Sequence, residues 1–300
     1  MHAKAQSVWE ATKMKNTILV TGATGTIGTQ VLTALAGRPD THVRAGVRTA
    51  ARAADLRRHN IEPVDFDFTR PASMSAALEG VVHVFFLPPM SERQVEEGAA
   101  FVELARKAGV AHIVKLSAFG CELEPGIQLG RWHRAVEKQI EAAKIGYTFL
   151  RPNNYMSNFL SFYRPAGDGN VYLPLGNGAV SYIDPRDVGE VAAIALTAPG
   201  LMGKALTLTG PEPLTMTQVA THLAKATDRR ISYVDVPEAA ARKAMLDMQM
   251  PGWVVDAMME LHAIDRAGYA AAVTTAVQEV IGHAPRRFAD FAAEHAAELG

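Results

Sequence analysis

The stretch that most constrains this chain is Ile18-Leu19-Val20-Thr21-Gly22-Ala23-Thr24-Gly25-Thr26-Ile27-Gly28. The apolar run Ile18 to Val20 reads as a strand covered on both faces, as in a parallel sheet. It breaks into three glycines spaced G-x-x-G-x-x-G, then into a helix with Ile27, Val31, Leu32 and Leu35 on one face. Strand, glycine loop and helix in that order bind a dinucleotide. Gly22 permits the tight turn, Gly25 lets the backbone approach a pyrophosphate, and Gly28 lets helix and strand pack closely. Thr24, Thr26 and Ile27 join them as cofactor-binding residues, at the positive end of the helix dipole.

Three hundred residues suffice for one large α/β domain or two modest ones. Thirty basic residues against 31 acidic, with no basic stripe on any helix, remove the main argument for nucleic-acid binding. The single cysteine, Cys121, excludes an internal disulfide and fits a reducing, cytoplasmic setting. No apolar stretch reaches membrane-span length. Residues 1–15 carry Lys4, Lys13 and Lys15 without a following apolar run, and read as a loose extension rather than a secretory signal.

Downstream, strands and helices alternate. Gly37-Arg38-Pro39-Asp40 stops the first helix, and strands follow at His42–Val47 and Ile61–Phe66. A short helix, Met74–Leu78, precedes a buried strand, Val81–Leu87, closed by Pro88-Pro89. A helix over Glu96–Ala108, a strand over His112–Leu116, a helix over Arg131–Ala143 and a strand over Tyr147–Leu150 complete the run. This pattern predicts an α/β protein with a doubly wound parallel sheet, a Rossmann fold. Asp187–Leu196 reads as a helix packing back on that core, and Leu206–Leu208 and Ile231–Val236 as strands, the first returning to the main sheet. The expected division is a nucleotide core over 16–152, joined by about 183–210, and an interleaved substrate lobe over 153–182 and 211–300.

The end of the second strand speaks for NADP(H) over NAD. Between Thr41 and Ala54 there is no carboxylate to meet a ribose 2′-hydroxyl, whereas Arg48 follows Val47 directly, with Arg44 and Arg52 nearby. Arginine suits a 2′-phosphate because its planar fork donates two charge-assisted hydrogen bonds. Asp67 is either an acceptor for the adenine amino group, with Phe68 beside it, or a turn residue. Leu87 and Pro88, closing the fourth strand, are further cofactor-binding candidates.

Several motifs together resemble the NmrA-like family of atypical short-chain dehydrogenases/reductases. They are Thr21 to Gly28, Lys115-Leu116-Ser117-Ala118, His133-x-x-x-Glu137 and Tyr147 to Asn153, then Tyr182 to Val188, Leu206 to Pro211 and Phe288 to Phe291. The resemblance covers about residues 16 to 295. It implies NADP(H) and a substrate cleft between the nucleotide core and a smaller lobe, in a family that includes dye and quinone reductases and also a non-catalytic regulator.

Typical short-chain dehydrogenases carry Tyr-x-x-x-Lys. Matching on His133 as the lysine position puts Leu129 at the tyrosine position, and leucine cannot be a general acid. The catalytic candidates that remain are Ser117, a poor acid alone, and His133. His133 can hydrogen-bond the cofactor ribose or donate a proton, or it is simply a structural helix histidine. Glu137, one turn later, either orients His133 or is an ordinary solvated residue. No histidine or cysteine spacing suggests a metal.

For the substrate, Asn154, Tyr155, Met156 and Phe159 follow the sixth strand at its carboxyl end, and Met90 and Phe119 lie on neighbouring loops. A Met-rich helical region (Met245, Met248, Met250, Trp253, Met258, Met259) either accommodates a flat aromatic ligand or packs the lobe's core. The sequence thus points to an NADPH-dependent reductase of an electron-poor small molecule: a quinone, aromatic dye, imine or activated double bond. The alternatives are a non-catalytic NADP(H) sensor and a cofactor-retaining isomerase or cyclase. A homo-oligomer is open to it.

Overall fold

Fully buried apolar runs make the centre of a sheet in the computed structural model, which describes residues 16–38, 40–49 and 56–299. The N-terminal extension, Pro39 of the expected helix stop, and Arg52 lie outside the described residues. Strands β1 (Thr17–Val20), β2 (His42–Val47), β3 (Ile61–Asp65), β4 (His83–Phe86), β5 (His112–Leu116) and β6 (Gly146–Pro152) pair in the order β3-β2-β1-β4-β5-β6. Every one of these pairings is parallel. A later strand, β9 (Lys204–Leu208), extends the sheet beyond β6, as the returning strand was expected to do. This is the dinucleotide-binding strand order, with its switch point between β1 and β4.

Helices α1 (Thr26–Ala36), α2 (Pro71–Leu78), α3 (Gln94–Lys107), α4 (Gln128–Ala142) and α5 (Pro185–Thr197) follow in chain order. Leu19 faces a cluster of Met74, Leu78, Phe101, Val136 and Ile140 from α2, α3 and α4. Its neighbours Ile18 and Val20 point the other way, where α1 buries Ile27, Val31, Leu32 and Leu35. Several ends differ from the sequence reading for local reasons. β4 stops at Phe86 because the Leu87 N–H donates to Thr21 Oγ1 (2.9 Å), leaving the ladder, and Pro88 has no N–H. α2 starts earlier, with a proline in its first turn. α4 starts at Gln128, whose N–H is capped by Glu260 (2.5 Å).

The chain divides into two compact units. One holds the described residues through Ala118, with Arg131–Arg151 and Val188–Leu206; the other holds Phe119–Gly130, Pro152–Asp187 and the chain from Thr207. In the second, two small sheets pair β7 (Asn170–Leu173) with β11 (Ser232–Asp235) and β8 (Ala179–Val180) with β10 (Leu214–Thr215). Around them α6 (Met216–Thr227) and a helix over Phe288–Glu294 pack a core of Phe159, Tyr163, Tyr182, Leu223, Phe288 and Phe291. Helices α7 (Glu238–Asp247) and α8 (Gly252–Arg266) bring Met245, Met250 and Met259 against Ala241 and Val255 in a satellite core. That is packing, while Met248 stays exposed.

Among the described glycines of the first unit, the closest approach is between α1 and the turn before it. A Cβ on Gly28 would lie 2.1 Å from the Gly22 carbonyl oxygen. Gly28→Ala should therefore destabilise the protein by about 2 kcal/mol, the helix-propensity gain of alanine notwithstanding. Gly37→Ala, where a Cβ meets nothing within 4 Å, serves as control. Urea midpoints compare the two, and an unchanged midpoint for Gly28→Ala would remove the close contact from the account.

In the second unit Asp265 is buried, with the Asn154 amide donating to both its oxygens (3.3 and 3.1 Å). Burial pushes its carboxyl up to about 7, against the opposing pull of the Asn154 bond. A raised carboxyl stabilises the fold fully below the unfolded value of 3.8 and loses that contribution as pH rises through 7. The loss amounts to roughly 4 kcal/mol. Asp265→Asn should remove it, so the variant gains stability relative to wild type between pH 4 and pH 8. Parallel stability–pH curves would contradict this.

Candidate functional site

The glycine loop leaves β1 at Thr21, whose buried hydroxyl donates to the carbonyls of Phe85 (3.2 Å) and Leu87 (3.3 Å). That side chain ties the carboxyl ends of β1 and β4 together. Gly22 has φ +62°, in the left-handed region, and a side chain there would also strike Leu87. Gly25 caps α1 in an extended conformation, with its N–H donating to the Gly22 carbonyl at 3.0 Å. A Cβ on Gly25 would meet only that carbonyl, at 3.3 Å, so protein does not fill the space before the loop. The first N–H groups of α1, at Thr26, Ile27 and Gly28, have no acceptor among the described residues, and Thr24, Gly25 and Thr26 are exposed. Open backbone donors at a helix N-terminus, beside glycines that admit close approach, fit a pyrophosphate.

The end of β2 is shaped by which charges are already paired. Arg44 donates to the carbonyls of Ala77 (3.0 Å) and Glu79 (2.5 Å), with Glu62 alongside, so its fork is engaged by backbone and cannot take the phosphate role beside Arg48. Asp65, opposite Val47 in β3, takes two bonds from Arg70 (2.6 and 2.8 Å). Asp67 accepts from the N–H and hydroxyl of Thr69 (2.9 and 2.8 Å), which hold its carboxyl below the usual value, helped by the charges of Arg70 and Arg48. Asp67 is therefore a turn residue in its contacts. Phe68 packs edge-on to Phe66 and Phe101, so much of its ring belongs to the core. Arg48 is exposed and makes no hydrogen bond among the described residues, which leaves its fork open to a ligand.

A buried polar network occupies the carboxyl ends of β5 and β6 and the middle of α4. Glu137 is fully buried and receives Ser117 Oγ at 2.6 Å, Arg151 Nε and Nη2 at 3.1 and 2.7 Å, and Arg134 at 3.0 Å. Burial alone would raise its carboxyl. The bonds from Arg151 and Ser117, with the charges of Arg151 and Lys115, more than offset this and hold it below the ordinary value. Glu137 is thus neither solvated nor the partner of His133. That partner is Lys115, fully buried on β5, whose Nζ lies 3.0 Å from Nδ1 of His133 and 3.2 Å from the Leu116 carbonyl. Burial first, and then the Lys115 charge, push the His133 imidazole well below 6.5, so it is neutral. The Ser117 hydroxyl donates to Glu137, and its oxygen lone pairs can still accept.

Lys115 and Arg151 were missed as site residues. A lysine inside the buried run His112-Ile113-Val114-Lys115-Leu116 was the available signal, since lysine is almost never fully buried unless paired. Glu137 gave a similar one, lying beside Val136 and Ile140 on the apolar face of α4.

The substrate candidates scatter. Met156 and Phe159 are fully buried in the core of the second unit and do not line a surface, because the short 3-10 turn after β6 points both inward. Asn154 is engaged by Asp265, and the Phe119 N–H bonds to the Pro152 carbonyl (3.0 Å). Tyr155 is half-buried, and burial raises its phenol. Leu87 is half-buried, Pro88 buried, and Met90 exposed at the end of β4.

Comparison with known proteins agrees with this architecture over more than nine tenths of the chain. Residues 14–284 match the NmrA-like family. The NAD(P)H azoreductase of Xenophilus azovorans is 38% identical over 284 residues, covering 94% of this chain and 99% of that protein. The NADPH-dependent quinone oxidoreductase of Escherichia coli, solved with NADPH, shares the fold with a TM-score of 0.84 at 26% identity, over 92% of this chain and 99% of the other. The Citrobacter triphenylmethane reductase, solved with NADP(H), gives 0.83 at 25% identity, over 93% and 99%. With its glycine loop, its sheet order and these relatives, the chain belongs to the NmrA-like family.

Proposed function

We propose that this chain is an NADPH-dependent reductase that transfers a hydride to an electron-poor small molecule, a quinone or an azo or triphenylmethane-type dye. The observation that carries the reading is the site at the ends of β1, β4 and β5. It joins an open phosphate loop to a carboxyl-end pair, His133 and Ser117, that contains no strong general acid. Relatives named for azo, quinone and dye reduction support the substrate class.

The loop binds the pyrophosphate on the N–H groups of Thr26, Ile27 and Gly28, and Arg48 takes the 2′-phosphate. Leu87 and Pro88 form the apolar wall where β4 ends. When bound, the reduced nicotinamide supplies the hydride. Leu129, four residues before His133 on α4, has no proton to give, and Ser117 is turned to Glu137. The residue left to face the ligand is neutral His133, as a hydrogen-bond donor. Such a site holds and orients; it does not drive the protonation of a simple ketone.

A screen of quinones, azo dyes and triphenylmethane dyes against NADPH oxidation tests the activity. NADPH binding without turnover on any of them would overturn it in favour of a non-catalytic sensor. Arg48→Ala tests the cofactor. A charge-assisted bond contributes about 1.5–3 kcal/mol, so NADPH should bind roughly ten- to a hundredfold more weakly, with NADH little changed. Equal weakening of both cofactors would show that Arg48 supports the loop without reading the phosphate.

A further inference from the structure

We propose that Lys115 is a positioning residue for the reductase reading above: by donating to Nδ1 it fixes His133 as an uncharged Nε2–H donor toward the bound ligand. The directions of the bonds follow from the partners. An ammonium has donors and no acceptor, and the Leu116 carbonyl can only accept, so Lys115 Nζ donates there at 3.2 Å and to Nδ1 at 3.0 Å. With Nδ1 as acceptor, the proton of the neutral ring sits on Nε2, which has no protein partner among the described residues.

This inverts the usual arrangement around a functional histidine. A carboxylate or carbonyl commonly accepts from one ring N–H, which makes the other nitrogen more basic. Here a buried cation occupies that place. Protonating His133 would set a second positive charge 3.0 Å from Lys115. Among the described residues, Glu137 accepts from Ser117, Arg134 and Arg151 and also feels the Lys115 charge, and Glu141 accepts from Arg134. The result is a donor whose state does not change across the physiological range, although free histidine titrates in the middle of it.

The test is nuclear magnetic resonance of the full chain labelled with 15N-histidine, with His133 assigned by the His133→Gln variant. The wild-type signal should show a protonated Nε2, an unprotonated Nδ1 and no titration from pH 5.5 to 8. Lys115→Met removes the cation at similar volume, and its His133 should then titrate, moving up toward 6.5. The pH profile of kcat/KM for NADPH oxidation should gain a matching step in that variant, which Lys115→Arg abolishes. An Nδ1–H tautomer or a titrating His133 in wild type overturns the proposal, as does a Lys115→Met spectrum that keeps the wild-type pH behaviour. The wild-type spectrum, once assigned with His133→Gln, needs no turnover. Failure of the acceptor screen would therefore sink the reductase reading while leaving this measurement to decide the role of Lys115.

Discussion

The approach of Gly28 to the Gly22 carbonyl is the contact on which the nucleotide half depends. Because no Cβ intervenes, α1 can start directly above the end of β1. That places the unpaired N–H groups of its first turn over the sheet edge, where β1 and β4 diverge. Thr21 fixes the same edge from the other side by linking β1 to both Phe85 and Leu87. One helix end, one turn and one hydroxyl together decide where a phosphate can sit. The rest of the sheet supplies rigidity. A second close approach, Gly189 against Gln30, lets α5 lie on α1 and holds that helix from outside.

The other constraint is electrostatic. Glu137 sits where solvent cannot reach it, and an uncompensated carboxylate there would cost several kcal/mol. Its donors come from three places, Ser117 after β5, Arg151 on β6 and Arg134 on its own helix, so satisfying the charge also sets the spacing of those elements. Ser117 and His133 are held in place by this network without having to be part of the apolar core. Removing any one of these donors would leave the buried carboxylate under-compensated, so the cluster holds its members in one arrangement.

The fold was legible in the sequence because its signals are local. A G-x-x-G-x-x-G between a strand and a helix, and apolar runs separated by helical spacing, report the order of elements directly, and β2 and β5 fell on the expected residues. The ends were less legible where a distant group decides them, as Glu260 does for α4 and Thr21 for β4. The polar site was half legible. His133 and Ser117 stand out as residue types, but their partners are set by a fold that brings β5, β6 and α4 together. Spacing along α4 offered Glu137 as the partner of His133, whereas the structure gives it Lys115 from another element. Met156 and Phe159 failed for a related reason: residues after a strand's carboxyl end line a site only if the next turn points them outward, and here it points them into a core.

What the network leaves undone bears on the choice of substrate. Hydride addition to a simple ketone produces an alkoxide, far more basic than a neutral imidazole, and such a product needs an acid already in place. Leu129 cannot provide one, and the Ser117 hydroxyl donates to Glu137. Hydride addition to a cationic dye cancels the charge and calls for no proton. With a quinone the negative charge spreads over an aromatic ring, where a single neutral hydrogen bond is a matched partner. The proposed donation from Lys115 suits such acceptors, because on that reading His133 would be no base and would stay a donor in one state. The absence of a tyrosine is thus consistent with a site that selects acceptors by their electron deficiency, because the driving force for the reaction lies in the acceptor and not in a protein acid.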